Sequence, residues 1–269
     1  MKIALYYRHI DAADRAAFDE LTAILRERGI DTVTVHDGGS VADSDYLFSI
    51  GGDGTLLSSV QFVRADTPEA FPPVLGINFG HLGFLTTVGR ENLHGMVDAL
   101  LEGRFSLEER TLLQLRTPNS EPVYALNEVF MHRTEEASLL RTQVYVDEQY
   151  VATYAGDGVI VATPTGSTAY SLSCGGPILT PDSRCLLITP ISAHTLTLRP
   201  IISPDTVQIR LHVDDDCFLG IDSRRITLAG GSELLLNRAP FTIRLVRLGD
   251  QNFFTAIREK LMWGTEVRN

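Results

Sequence analysis

Chemistry is most concentrated in Ile50-Gly51-Gly52-Asp53-Gly54-Thr55, where a single carboxylate is set among three glycines. Glycines at this spacing let backbone N–H groups come close to an anion, because no Cβ stands between them. A carboxylate at the rim of such a turn is placed to accept a proton from a reacting hydroxyl. An anion held beside a reacting hydroxyl is the chemistry that suits the pairing, with Gly51, Gly52 and Thr55 around the anion and Asp53 at the rim. A tight turn with a capping Asp is the plainer reading of the same letters. The flanks weaken it. Tyr46 to Ile50 reads as a buried strand and Thr55 to Arg64 as a helix. The carboxyl end of a strand in an open α/β sheet is where such folds bind ligands, and a helix N-terminus adds partial positive charge there.

A second concentration runs from Gly156 to Ile178, an apolar strand between two polar glycine loops. Thr163, Thr165, Ser167, Thr168, Ser171 and Ser173 crowd around Tyr170, with Asp157 just upstream. A Ser- and Thr-rich turn would not need so many short donors beside a tyrosine and an acid. Hydroxyls and backbone amides suit the adenine edge, riboses and pyrophosphate of a dinucleotide. Several other chemistries are disfavoured. Lys2 and Lys260 are the only lysines, so neither a Walker A loop nor a protein-kinase strand lysine is present. No G-x-G-x-x-G opens the first βα turn, which disfavours hydride transfer on a Rossmann frame. The formal charge of −11 argues against nonspecific nucleic-acid binding. Asp214, Asp215 and Asp216 read as a solvated turn between strands, and the histidines have no metal-ligand spacing, so no protein metal ligand is assigned. Cys174, Cys185 and Cys217 form no paired framework and read as reduced thiols. The N-terminus shows no leader pattern, and no apolar run approaches the roughly 18 residues of a membrane span. A cytoplasmic protein is the expectation.

The elements that must hold these residues change character along the chain. Lys2–Tyr7, Asp31–Val35, Tyr46–Ile50 and Val74–Asn78 read as strands, alternating with helices over Asp11–Arg28, Thr55–Arg64 and Glu91–Glu102. That alternation predicts an open, mostly parallel α/β sheet. Beyond Gly103 the chain reads as strands at Thr111–Arg116, Val123–His132, Thr142–Val146, Val159–Ala162, Thr206–Val213 and Phe241–Arg247, with a helix at Asn252–Trp263. The predicted organisation is an α/β N-terminal domain over 1–105, a predominantly β domain over 106–250, and a C-terminal helical segment over 251–269 that is free to return to the first domain.

GGDGT resembles a loop shared by NAD kinases, diacylglycerol and sphingosine kinases and, more loosely, phosphofructokinases, all of which phosphorylate hydroxyls. The stretch from Gly156 to Ile178 resembles the adenosine-binding segment of the NAD kinases, which the lipid kinases lack. Leu126-Asn127-Glu128-Val129 and Gly76-Ile77-Asn78-Phe79-Gly80-His81-Leu82-Gly83-Phe84-Leu85 resemble two further blocks of that family. The resemblance covers roughly residues 46 to 264 and implies phosphorylation of the 2′-hydroxyl of the adenosine ribose of NAD by Mg²⁺-ATP, with polyphosphate as an alternative donor. It implies Asp53 as the catalytic carboxylate and Gly54 in the substrate loop. Asn127 and Glu128 would hold the adenosine, Phe84 would neighbour the adenine, Asp157 would contact the nicotinamide ribose or amide, and Ala155 would be among the NAD-binding residues. Thr168, Ala169, Tyr170, Ser171, Leu172 and Ser173 would line the adenine and ribose pocket. A homodimer or homotetramer, with Asp157 near a neighbouring subunit, is also implied. Ala155, Cys174, Ser192-Ala193-His194 and Arg224 depart from the commoner family pattern. A GGDGT lipid kinase and a non-catalytic NAD or NADP sensor are the alternatives.

Overall fold

The computed structural model describes all residues except 65, 82, 118–119, 250–251 and 265–269. Leu82 of the glycine-histidine block and those parts of the C-terminal segment therefore lie outside the described residues. The chain forms two compact units, one of Met1–Glu109 with Ile243–Asn269 and one of Arg110–Thr242.

The first unit opens with β1 (Lys2–Tyr6), α1 (Arg15–Glu27), β2 (Asp31–Val35), β3 (Tyr46–Ile50), α2 (Asp53–Ser59), β4 (Val74–Ile77) and α3 (Leu93–Leu101). Its strands lie side by side in the order β2, β1, β3, β4, all parallel. Parallel strands are covered on both faces, and the unbroken apolar runs Ile3-Ala4-Leu5-Tyr6 and Leu47-Phe48 are accordingly buried. Helix α1 buries Ala17, Phe18, Leu21, Ile24 and Leu25, the stripe that a 3.6-residue period places on one side. Each of its larger side chains contributes about 1.5–3 kcal/mol by leaving water. Gly29, at φ 66°, follows its end as the left-handed residue that stops a helix. The helix starts later than the expected Asp11 because the Asp11 carboxylate accepts the Asp14 amide and forms a separate turn.

The second unit is built from β5 (Ser106–Arg116), β6 (Val123–Ala125), β7 (Glu128–Arg133), β8 (Leu140–Val146), β9 (Gln149–Gly156), β10 (Gly158–Ala162), the short α4 (Tyr170–Ser173), β11 (Cys185–Ile191), β12 (Ile201–Pro204), β13 (Ile209–Val213), β14 (Cys217–Ile221), β15 (Arg224–Leu228) and β16 (Ser232–Arg247). One antiparallel sheet has the order β12, β11, β10, β7, β14, β15, and β16, β13, β8, β9 follow one another in a second. Val129, Met131, Val159, Val161, Leu186 and Ile188 from the first sheet share one core with Val144, Leu211, Leu234 and Leu236 from the second. Strand β10 is buried along its whole length, because Ile160 and Ala162 pack on the opposite face with Leu187, Ile191 and the partly buried Tyr170.

Strand β16 ends in the first unit, where Leu245 pairs in parallel with Val74, and α5 (Phe253–Leu261) follows, capped by the Asn252 side chain. Several strands differ from the sequence reading. The single strand expected over Val123–His132 is broken into β6 and β7, because the amides of Leu126, Asn127 and Glu128 turn to a carboxylate instead of a ladder. Strand β11 carries Pro190, a residue that speaks against a strand. The β12 ladder ends at Ile188, so no strand on that side needs the missing N–H.

Candidate active site

In the first unit the site residues sit where β3 gives way to α2. Gly51 has φ 140°, and a Cβ there would press into the Thr55 side chain, so the turn requires glycine. Its N–H donates to Ile77 O at 2.8 Å and ties the turn to β4. Helix α2 begins at Asp53, two residues before the Thr55 expected from the sequence, because Gly52 O already accepts the Thr55 amide at 2.8 Å. Asp53 is half-buried, whereas Gly52 and Gly54 are exposed.

The Asp53 carboxylate is held by the glycine-histidine block. Oδ1 accepts the amides of Leu85 at 3.2 Å and Thr86 at 3.0 Å, together with the Thr86 hydroxyl at 3.0 Å. Oδ2 accepts the Phe84 amide at 2.8 Å. The fully buried Thr86 hydroxyl also accepts the Gly83 amide at 2.8 Å, which closes the loop on itself. Two glycines make this approach possible. A Cβ on Gly83 would overlap the carboxylate, and one on Gly76 would come within 2.9 Å of Thr86 Cα. Asn78 shapes the preceding turn, accepting the Gly80 amide at 3.0 Å and donating to His81 O. Phe84, expected beside the adenine, meets Asp53 through its backbone, and its ring is half-buried. His81 is exposed.

In the second unit Leu126-Asn127-Glu128 is gripped from two sides. Asp222 accepts the amides of all three at 2.7, 2.8 and 3.1 Å, from a left-handed backbone at φ 48°. On the other side Thr163 donates its amide to Asn127 O at 2.8 Å and its hydroxyl to Leu126 O at 2.5 Å. Gly166 lies so close that a Cβ would overlap the Asn127 backbone. Asn127 and Glu128 are only 8% and 6% exposed, yet among the described residues Asn127 Oδ1 and Glu128 Oε2 have no hydrogen-bond partner. An unpaired buried polar atom costs about 1–3 kcal/mol, a cost that a donor reaching these two atoms would relieve. Burial pushes the Glu128 carboxyl up to about 8, with the nearby Asp222 adding to the shift and the Tyr170 amide opposing it. Burial likewise pushes Asp222 up to about 6, against the three amides and Arg224.

The serine- and threonine-rich segment packs beside this pair. Tyr170 stands edge-on to Phe130 at 5.3 Å between ring centres. Thr168, Ala169, Tyr170 and Leu172 are half-buried and Ser173 is exposed. Ser171 is fully buried, and its hydroxyl pairs with that of Thr189 at 2.8 Å, so it braces the segment against β11. Asp157 lies at the other end of the β7–β10 pair, which is in register from Gly158 opposite His132 to Ala162 opposite Glu128. At about 3.3 Å per residue, roughly 15 Å of strand separates Asp157 from Glu128. Arg133 holds Asp157 through an ion pair at 2.6 Å, and that hydrogen bond keeps its carboxyl below the usual range. Ala155 is half-buried, with its carbonyl accepting the His194 amide at 2.9 Å. Sequence reasoning missed Thr86, Arg133 and Gly166 as parts of these clusters and had not linked Asp222 to Asn127 and Glu128. Only the glycine carried a local signal, inside Thr163-Pro164-Thr165-Gly166.

The architecture is that of the dinucleotide kinases. The crystal structure of yeast NADH kinase complexed with NADH superposes with a TM-score of 0.89, over 100% of this chain and 89% of the yeast chain, at 24% identity. An NAD kinase from Archaeoglobus fulgidus in complex with ATP gives a TM-score of 0.80, over 97% and 99%, also at 24% identity. Sequence similarity narrows the class. Residues 16–105 match the ATP-NAD kinase N-terminal domain and residues 126–248 the ATP-NAD kinase C-terminal domain. The NAD kinase of Christiangramia forsetii is 37% identical, covering 100% of both chains, and that of Porphyromonas gingivalis is 43% identical over 83% of this chain and 78% of its own. The chain belongs to the NAD kinase family and is an enzyme of that kind.

Proposed function

We propose that this NAD kinase moves the γ-phosphoryl group of ATP onto the 2′-hydroxyl of the adenosine ribose, with Asp53 as general base. The observation that carries the reading is the Asp53 carboxylate. Among the described residues its Oδ1 takes three donors and its Oδ2 one. A carboxylate oxygen has room for about two, so Oδ2 is the atom left to accept a hydroxyl proton. As the ribose oxygen bonds to the γ-phosphorus, the bond from that phosphorus to the β,γ-bridging oxygen breaks, ADP leaves and the proton passes to Oδ2. The transition state is loose, so alignment and charge neutralisation supply most of the acceleration. Gly51, Gly52, Gly54 and Thr55 line the phosphate side.

For the dinucleotide, the unpaired Asn127 Oδ1 and Glu128 Oε2 are suited to the amine and hydroxyl donors of adenosine. Thr168 to Ser173 wall that pocket, and Asp157 with Ala155 serves the nicotinamide end, at a separation that fits an extended dinucleotide. The ATP bound to the archaeal neighbour and the NADH bound to the yeast one support these two substrate classes. The divalent cation is taken as part of the Mg²⁺-ATP substrate, where it neutralises phosphate charge. We take the protein to be cytoplasmic and homo-oligomeric. No described helix is long and apolar enough to cross a membrane.

Replacing Asp53 with Asn retains volume and removes the proton acceptor. The expected result is a fall in kcat of about 10²- to 10⁴-fold, or roughly 3–5 kcal/mol at about 1.36 kcal/mol per decade. Calorimetric affinity for NAD should hardly change. Near-normal kcat would remove Asp53 from the mechanism. A panel of ATP and polyphosphate against NAD and NADH defines the substrate range.

A further inference from the structure

We propose that Arg247 is a positioning residue for Asp53, acting through two peptide groups; the inference rests on the reading of Asp53 as the base. Arg247 closes β16, and its side chain is 11% exposed. Nη2 donates to Phe84 O at 3.4 Å and Nη1 to Leu85 O at 3.2 Å. The peptide that carries the Phe84 carbonyl carries the Leu85 N–H at its other end, and that N–H donates to Asp53 Oδ1 at 3.2 Å. The peptide that carries the Leu85 carbonyl carries the Thr86 N–H, which donates to the same oxygen at 3.0 Å. Two parallel chains thus run from one guanidinium, through two peptide planes, to one carboxylate oxygen.

A planar cation is suited to this task and a point charge is not, because only the fork presents N–H groups to two successive carbonyls at once. The third side of the fork is fixed as well, since Nε donates to Glu108 Oε2 at 2.6 Å. Donation to a carbonyl polarises its peptide and strengthens the bond made by the N–H at the far end. Arg247 therefore anchors Oδ1 and leaves Oδ2 facing the substrate.

Arg247→Ala and Arg247→Lys, each made in the wild-type and the Asp53→Asn background, test the idea by kcat, KM for NAD, and melting temperature. In the wild-type background Arg247→Ala should lower kcat about 10- to 100-fold, the scale of a small misplacement of a reacting group, with KM for NAD near its normal value. Arg247→Lys should fall between, and added guanidinium ion at millimolar concentration should restore part of the Arg247→Ala rate. In the Asp53→Asn background neither change should cost much further activity. A normal kcat for a folded Arg247→Ala protein would overturn the proposal, and so would an equal loss in both backgrounds. If Arg247→Ala does not fold, the Lys variant carries the same comparison. A normal kcat for Asp53→Asn alone would instead overturn the base assignment.

Discussion

At Glu128 a carboxyl group is buried beside a second one, Asp222, and both are pushed up, to about 8 and about 6. Raised values mean that the folded unit prefers the neutral forms. The stabilising contribution is complete below the unfolded values of 4.5 and 3.8, and is lost as pH rises through about 6 for Asp222 and about 8 for Glu128. The melting temperature should therefore decline between about pH 4.5 and 8, other groups being constant. Glu128→Gln removes the larger of the two titrations and leaves a hydrogen-bonding side chain. Thermal unfolding from pH 5 to 8.5 should give a flatter curve for the variant and a higher melting temperature at pH 8, each kcal/mol recovered raising it by about 2–4 °C in a chain of this size. Curves that stay parallel would mean that Glu128 is already solvated or paired. NAD binding by the variant should weaken even where its fold is firmer, since Oε2 is replaced by one atom of an amide.

Glycines set the spacing between elements, and two of them separate structural from chemical roles. A methyl group on Gly166 would meet the backbone of Asn127, and such overpacking costs about 1–3 kcal/mol. Gly166→Ala should lower the melting temperature and raise KM for NAD together, because the strain falls on the segment to which we assign the adenosine. Gly54, inside α2, has nothing within 4 Å of a would-be Cβ. Gly54→Ala should thus fold as well as the parent, and a loss of kcat/KM would then report close approach of substrate to that backbone. The turn around Asp53 could be read from the sequence because a strand pattern and a helix pattern flank it within twenty residues. Asp222 could not be, since its role depends on a left-handed backbone and on amides 94 to 96 residues away. Arg247 finds Glu108 across 139 residues for the same reason. Local pattern also failed at β9, β11, β12, β14 and β15. Strands β11 and β12 contain Pro190 and Pro204, and β15 is exposed over four of its five residues, so neither composition nor alternation marks them.

For the whole molecule, the open edges of the β-rich unit bear on assembly. Strands β15 and β12 border the six-stranded sheet with Ile226 and Ile202 about half exposed, and β9 borders the other with Tyr150 exposed. Exposed apolar edge strands invite pairing with another chain unless they are covered. Light scattering at assay concentration should give a dimer or tetramer, and a fully active monomer would contradict this. Substituting Ile226 and Ile202 with Lys should shift the species toward smaller mass if those edges form the contacts.

The route of the chain has a consequence for how the enzyme is made. The β-rich unit is contiguous, whereas the first unit is completed only by residues from Ile243 onward. On a ribosome adding about 5–20 residues per second, on the order of 10 s passes between the emergence of the first hundred residues and the arrival of the strand that flanks β4. The strands on either side of β7, β10 and β14, end at Ala162 and Ile221 and so precede that strand's last residues. Asp53 is translated 194 residues before the arginine that steadies its loop. A nascent chain thus carries Asp53 long before its loop can be steadied, and the first unit closes only after the whole contiguous unit has been made.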